Sequence, residues 1–254
     1  VAKTVVAPTL PPNVAVIYAR PWEKVADTIA YNEQLLVDAL AQQIINRRLV
    51  TQARAGSTFS VAEVAQEDIS RSADTTTVII TPIGDNWQKA VVDVRAIIAD
   101  ATSTPPSAAD IERELALFGN ALRTMRDSYP FEAAAKQADD IVKAVDIRET
   151  IAAPDTVVAV YENMRDKFTP ERLFAATKAL FAADAVRILR TTPVADGADA
   201  DLRLAKALTD PVTAATTVRL SENAITIDDL PKLGAPATVV SRNTLSRLEM
   251  ESVE

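Results

Sequence analysis

Any acid or base chemistry in this sequence must come from carboxylates, lysines and hydroxyls, because its 254 residues include no histidine and no cysteine. That composition excludes a thiolate nucleophile, an imidazole base, a Ser-His-Asp triad, a disulfide framework and an ordinary zinc site. Carboxylates are plentiful, but pairs such as Asp139-Asp140 and Asp228-Asp229 are chain neighbours whose side chains diverge on a helix or a strand. General acid–base work needs facing groups, so these pairs read as solvated surface charge. Serines and threonines lack an activating base, and neither Ser-x-x-Lys nor Gly-x-Ser-x-Gly occurs. The glycines stand at Gly56, Gly84, Gly119, Gly197 and Gly234, spacings from which no dinucleotide or P-loop phosphate cradle can be written. With 27 Lys+Arg against 35 Asp+Glu and a net charge of −8, a nucleic-acid or anionic-membrane surface is a poor main partner.

The elements that position these residues follow from periodicity. The length suits one to two domains, and 48% hydrophobic with 24% charged residues is ordinary for a folded chain. Residues 1–13 carry prolines and no periodicity, and read as an entry linker. An apolar strand over 14–19 ends at Pro21, and apolar residues at helical spacing predict the longest helix over 25–49. Two β-rich stretches, 58–69 and 75–83, are expected to pair antiparallel. Asp85 or Asn86 can cap a helix carrying Trp87, Val91, Val94 and Ile98, and Ser107 can cap the next, with Ile111, Leu115, Phe118, Leu122 and Met125. An Ala-rich helix over 131–145 and another using Val157, Tyr161, Met164 and Phe168 follow. Thr169-Pro170-Glu171 starts a further helix, and a strand over 185–189 closes the unit.

This order predicts an α+β sandwich, a mainly antiparallel sheet with helices packed on one face, over residues 14–193. Trp22, Trp87, Tyr18 and Tyr161 fall at positions that favour core packing over a stacking platform. Residues 194–254 read as an extended C-terminal linker. Within it 202–208 allows one short helix, 218–220, 225–227 and 230–231 are extended, and 245–254 alternates like a strand without a partner. No internal repeat is visible, and no apolar run approaches the ~20 residues of a membrane span.

The most distinctive local element is Asn46-Arg47-Arg48-Leu49 at the end of the long helix, then Arg54, then Ser57-Thr58-Phe59-Ser60 entering a strand. Here the chain resembles the insulinase-like (pitrilysin) zinc metallopeptidase family, in its second-domain type. The resemblance continues through Ile80-Thr81-Pro82, the helices over 87–98 and 111–125 with Glu112 and Glu114, and Thr169-Pro170-Glu171 with the strand after it. Leu230-Pro231-Lys232-Leu233-Gly234 and 239–254 resemble the connection leading out of one half of a two-half family member. Val1 at the first position fits a processed chain or a piece cut from a longer protein.

The resemblance implies a non-catalytic domain from the first half of a bacterial insulinase-like zinc endopeptidase, inactive alone. In that family zinc sits on an inverted His-x-x-Glu-His motif of another domain, so the implied cofactor is none in this chain and zinc in its catalytic partner domain. The implied role is a chamber wall and a surface for an extended peptide, offered through sheet edges and apolar surface, with no nucleic acid and no membrane as partner. The family's substrate-contacting Arg corresponds to Arg54, and its aromatic position is held by Phe59, which lacks a hydroxyl. The residues alone equally allow Arg54 to serve the last carbonyls of the long helix. An alternative function is a purely structural, assembly role in a catalytically dead member; a third is an unrelated α+β binding module. The two-half type is often exported in Gram-negative bacteria, so the expected compartment is the periplasm, otherwise the cytoplasm.

Overall fold

The computed structural model describes residues 1–147, 150–216, 239–245 and 250–253. Its first compact unit runs Val1–Leu220 and its second Ser221–Glu254. In the first unit, strands β1 (Ala2–Val6), β2 (Asn13–Pro21), β3 (Phe59–Asp68), β4 (Ala73–Pro82) and β5 (Ala185–Thr192) form one sheet. Their order is β1-β5-β2-β4-β3, with β1 parallel to β5 and every other pair antiparallel. The α+β sandwich expected from the element order is the architecture found.

The helices are α1 (Ile29–Arg54), α2 (Trp87–Ser103), α3 (Ala108–Ser128), α4 (Ala134–Ile147), α5 (Pro154–Asn163), α6 (Pro170–Phe181) and α7 (Ala200–Thr209). Period-2 alternation sends Val14 and Val16 of β2, Val78 and Ile80 of β4, Ala62 and Val64 of β3 and Ile188 of β5 to one face. There they meet Leu40, Ile44, Ile45 and Leu49 of α1, Val91, Val94 and Ile98 of α2, and Leu173 of α6 in one continuous core. Two of the three expected caps are in place, while Asn86 stands at the N-cap of α2 without a side-chain capping bond. Ser107 Oγ accepts from Asp110 N at 3.1 Å, and Thr169 Oγ1 accepts from Arg172 N at 3.3 Å, each satisfying an otherwise orphaned donor of the first turn.

Behind α1, helices α3 and α5 pack on each other through Phe118 and Tyr161, edge to face at 5.7 Å. The Tyr161 hydroxyl donates to Leu115 O at 2.6 Å. A Cβ at Gly119 would lie 2.9 Å from Tyr161 Oη, so this helical glycine gives the buried ring its place.

Three sequence expectations change. Residues 2–6 are not linker but edge strand β1, because Ala2 through Val6 pair in register with Ile188 through Thr192 before Pro8 interrupts the chain. The long helix runs from Ile29 to Arg54 rather than over 25–49: it starts four residues later, since Thr28 is its N-cap and accepts from Tyr31 N, and it continues five residues past Leu49 to the cap at Ala55. In the second unit, β6 (Arg242–Leu245) and β7 (Met250–Val253) pair antiparallel, so the alternating C-terminal stretch has a partner just upstream. The extended segments expected at 218–220, 225–227 and 230–231, and the connection at 230–234, lie outside the described residues.

Candidate functional site

The Asn46-Arg47-Arg48-Leu49 run is explained by the 100° turn per helical residue, which sends each side chain to a different neighbour. Asn46 reaches the outer edge of β3, donating from Nδ2 to Val64 O at 3.0 Å and accepting from Val64 N at 2.8 Å. Arg47 Nε bonds Glu114 of α3 at 2.9 Å. Arg48, only 4% exposed, places Nη1 3.1 Å from Asp100 of α2 and Nη2 4.0 Å from Asp110 of α3. Arg113 completes the cluster by pairing with Asp110 and lying 3.5 Å from Glu114. Leu49 goes to the core. The motif is therefore a clamp that joins α1 to β3, α2 and α3, and its buried carboxylates are held as ion pairs.

The two residues singled out for peptide contact differ in exposure. Arg54 ends α1 on the surface, and no ion pair engages it among the described residues. Phe59 is 0% exposed and belongs to the core, so its ring cannot touch a peptide while the domain is folded. The cause is a β-bulge: the register of β3 against β4 shifts between Phe59 and Val61. Counting back by twos from inward Val64 puts Ser60 inside and Phe59 outside; the extra residue reverses that phase.

Among the described residues no helix packs on the second face of the sheet, which carries exposed apolar side chains. One cross-strand row runs Leu189 on β5, Ala15 on β2, Ile79 on β4 and Glu63 on β3. The next runs Arg187, Ile17, Thr77 and Ala65. Val61 and Ile79 are 51% and 43% exposed. A solvated sheet face ordinarily alternates to polar residues; an apolar one framed by charge marks an interaction surface. Sequence reading passed over it because periodicity shows that a strand has two faces without showing which face stays bare. The edges differ from the face. Asn46 occupies both backbone groups of Val64 on β3, and on β1 Thr4 N donates to Asp201 of α7 at 2.6 Å. Those bonds occupy the middle of each edge, where an added strand would need the same backbone groups.

At one end of the sheet, a cleft of about 410 Å³ is lined by Arg20, Trp22, Asp38, Asp68 and Asp74 among others. Trp22 Nε1 donates to Asp68 at 2.7 Å, so this Trp lines the cleft, whereas Trp87 and Tyr161 are buried as expected. Burial pushes the Asp38 carboxyl above its ordinary range, partly offset by the bond from Gln34 and by Arg172 and Arg20. Burial and neighbouring Asp68 do the same to Asp74. A carboxyl that binds its proton more tightly folded than unfolded costs stability once ionised. That cost is full above the folded pKa and vanishes below the unfolded value of about 3.9. Asp38→Asn is therefore expected to raise the unfolding free energy at pH 7 and to lose that advantage below about pH 4, as urea titrations at several pH values would read.

Among the described residues no group of three or more His, Cys, Asp or Glu can hold a metal ion, and the chain offers no imidazole or thiolate at all. The donor set does not fit the zinc that the resemblance implies for a catalytic domain, so no hydrolytic step is assigned to these residues. No helix among the described residues is long and apolar enough to cross a membrane.

No family model matches the sequence, and no curated protein matches it. Solved structures do. The fold is similar to that of the periplasmic protease PqqL from Escherichia coli, with a TM-score of 0.70 at 14% identity over 98% of this chain and 28% of that one. The separately solved first half of PqqL gives 0.68 at 14% identity over 83% of this chain and 47% of that one. A predicted insulinase family protease from Yersinia pestis gives 0.69 at 10% identity, over 81% and 45%. The chain thus spans about a quarter of the whole PqqL chain and about half of its first half. Its fold is that of a domain found in insulinase-type peptidases.

Proposed function

We propose that this chain is the non-catalytic domain of an insulinase-like zinc endopeptidase, in which the open sheet face forms part of the wall confining an extended peptide. Zinc-dependent hydrolysis belongs to another domain of the same protein. The observation that carries this reading is the bare apolar face, in a fold shared with PqqL and with edges already bonded at Val64 and Thr4. Similarity to the first half of a two-half protease supports placement beside a catalytic partner, and the periplasmic location of PqqL supports the same compartment here.

The test uses the full-length gene product with Val61→Gln and Ile79→Gln combined. Losing two apolar contacts of about 1–3 kcal/mol each is expected to lower kcat/KM for an unstructured peptide at least tenfold, with zinc content and Tm unchanged. Unchanged cleavage would remove the face from the peptide path. A full-length protein that cleaves nothing would leave the domain an assembly role.

A further inference from the structure

The open face is not electrically symmetric. On its β3 side stand Glu63 and Glu67, both exposed, and on its β5 side stands Arg187, also exposed. None of the three takes part in an ion pair among the described residues, although the surface elsewhere is rich in them. Between the two sides lie the uncharged residues of β2 and β4, with Ala15 and Ile79 in the row that ends on Glu63. The strand order β5-β2-β4-β3 separates the charges by three strand spacings, about 14 Å, or about 16 Å with the offset of one side-chain row. An extended chain covers that distance in about five residues at roughly 3.3 Å each.

We propose that this face holds an extended peptide across the strands in a fixed polarity, a basic side chain at Glu63 and Glu67, an acidic one at Arg187, and small apolar residues between. The proposal rests on the peptide-contacting role above and adds the class and direction of the segment bound. Opposite charge at two ends fixes orientation more than it adds affinity, because each exposed pair contributes only a fraction of a kcal/mol to about 1 kcal/mol. The apolar middle supplies the remaining contact through Ile79 and its neighbours.

The experiment titrates the isotopically labelled 254-residue chain with the blocked pentapeptide Lys-Thr-Val-Ala-Glu, whose Lys, Val and Glu share one face of the extended chain, carrying a nitroxide at one end or the other. A label at the Lys end is expected to broaden amides of β3 and spare those of β5, and a label at the Glu end to do the reverse. The charge-swapped variant Glu63→Lys, Glu67→Lys, Arg187→Glu should exchange the two patterns. Neutralising the same three positions to Gln should weaken binding about three- to tenfold. Equal broadening of both sides by either label, or no exchange in the swapped variant, overturns the polarity and leaves a peptide-binding face intact. Absence of any shift around Ile79 at millimolar peptide overturns the polarity and the peptide-contacting role together.

Discussion

Replacing Arg48 with methionine is expected to lower the unfolding free energy by about 3–5 kcal/mol, the cost of removing one member of a buried ion pair. Asp100 is 2% exposed and Asp110 4%; Asp110 keeps Arg113, but Asp100 loses the guanidinium 3.1 Å away. The loss reads directly in urea-induced unfolding followed by circular dichroism. Combining Arg48→Met with Asp100→Leu should recover most of it, because two apolar side chains of similar volume replace a pair whose desolvation consumed much of its attraction. A double variant no more stable than the single one would mean that the clamp works by packing alone.

Phe59→Ala is expected to cost a further about 3–5 kcal/mol on its own, the transfer and cavity terms of a fully buried ring. Arg54→Ala, on the exposed end of α1, should stay within about 0.5 kcal/mol of the parent. The contrast matters for binding measurements. Any loss of peptide affinity in Phe59→Ala should track the unfolded fraction and be restored below the transition, whereas a loss in Arg54→Ala would be one of contact. Thermal melts run beside anisotropy titrations separate the two, and a fully folded Phe59→Ala protein that still fails to bind would return this ring to the site.

The elements with strong local signals were legible in the sequence. The strand around Val14 and Val16, the helix ending at Arg54, the paired strands β3 and β4 and the caps Ser107 and Thr169 all rest on alternation, helical spacing or a single side-chain bond to a nearby amide. What was not legible depends on residues far apart in the chain. Strand β1 exists only because β5 lies open beside it. The inward turn of Phe59 depends on one extra residue in a ladder, which alternation cannot register. The Arg47-Arg48 pair looked like a family signature, and its physical reason, three carboxylates arriving from α2 and α3, becomes visible only when those helices pack.

The parallel pairing of β1 with β5 has a consequence for synthesis. Val6 waits for Thr192, and the central strand β2 waits for the same β5 on one of its sides. At about 5–20 residues per second, the nascent chain spends roughly 10–40 s with half of its sheet partners unmade. During that interval Val14 and Val16 of β2, both at most 2% exposed in the finished domain, have no strand beside them on the β5 side. The sheet is therefore expected to close only once β5 has left the ribosome, and pulse-labelled ribosome-bound lengths that expose or withhold residues 185–192 should differ sharply in protease resistance.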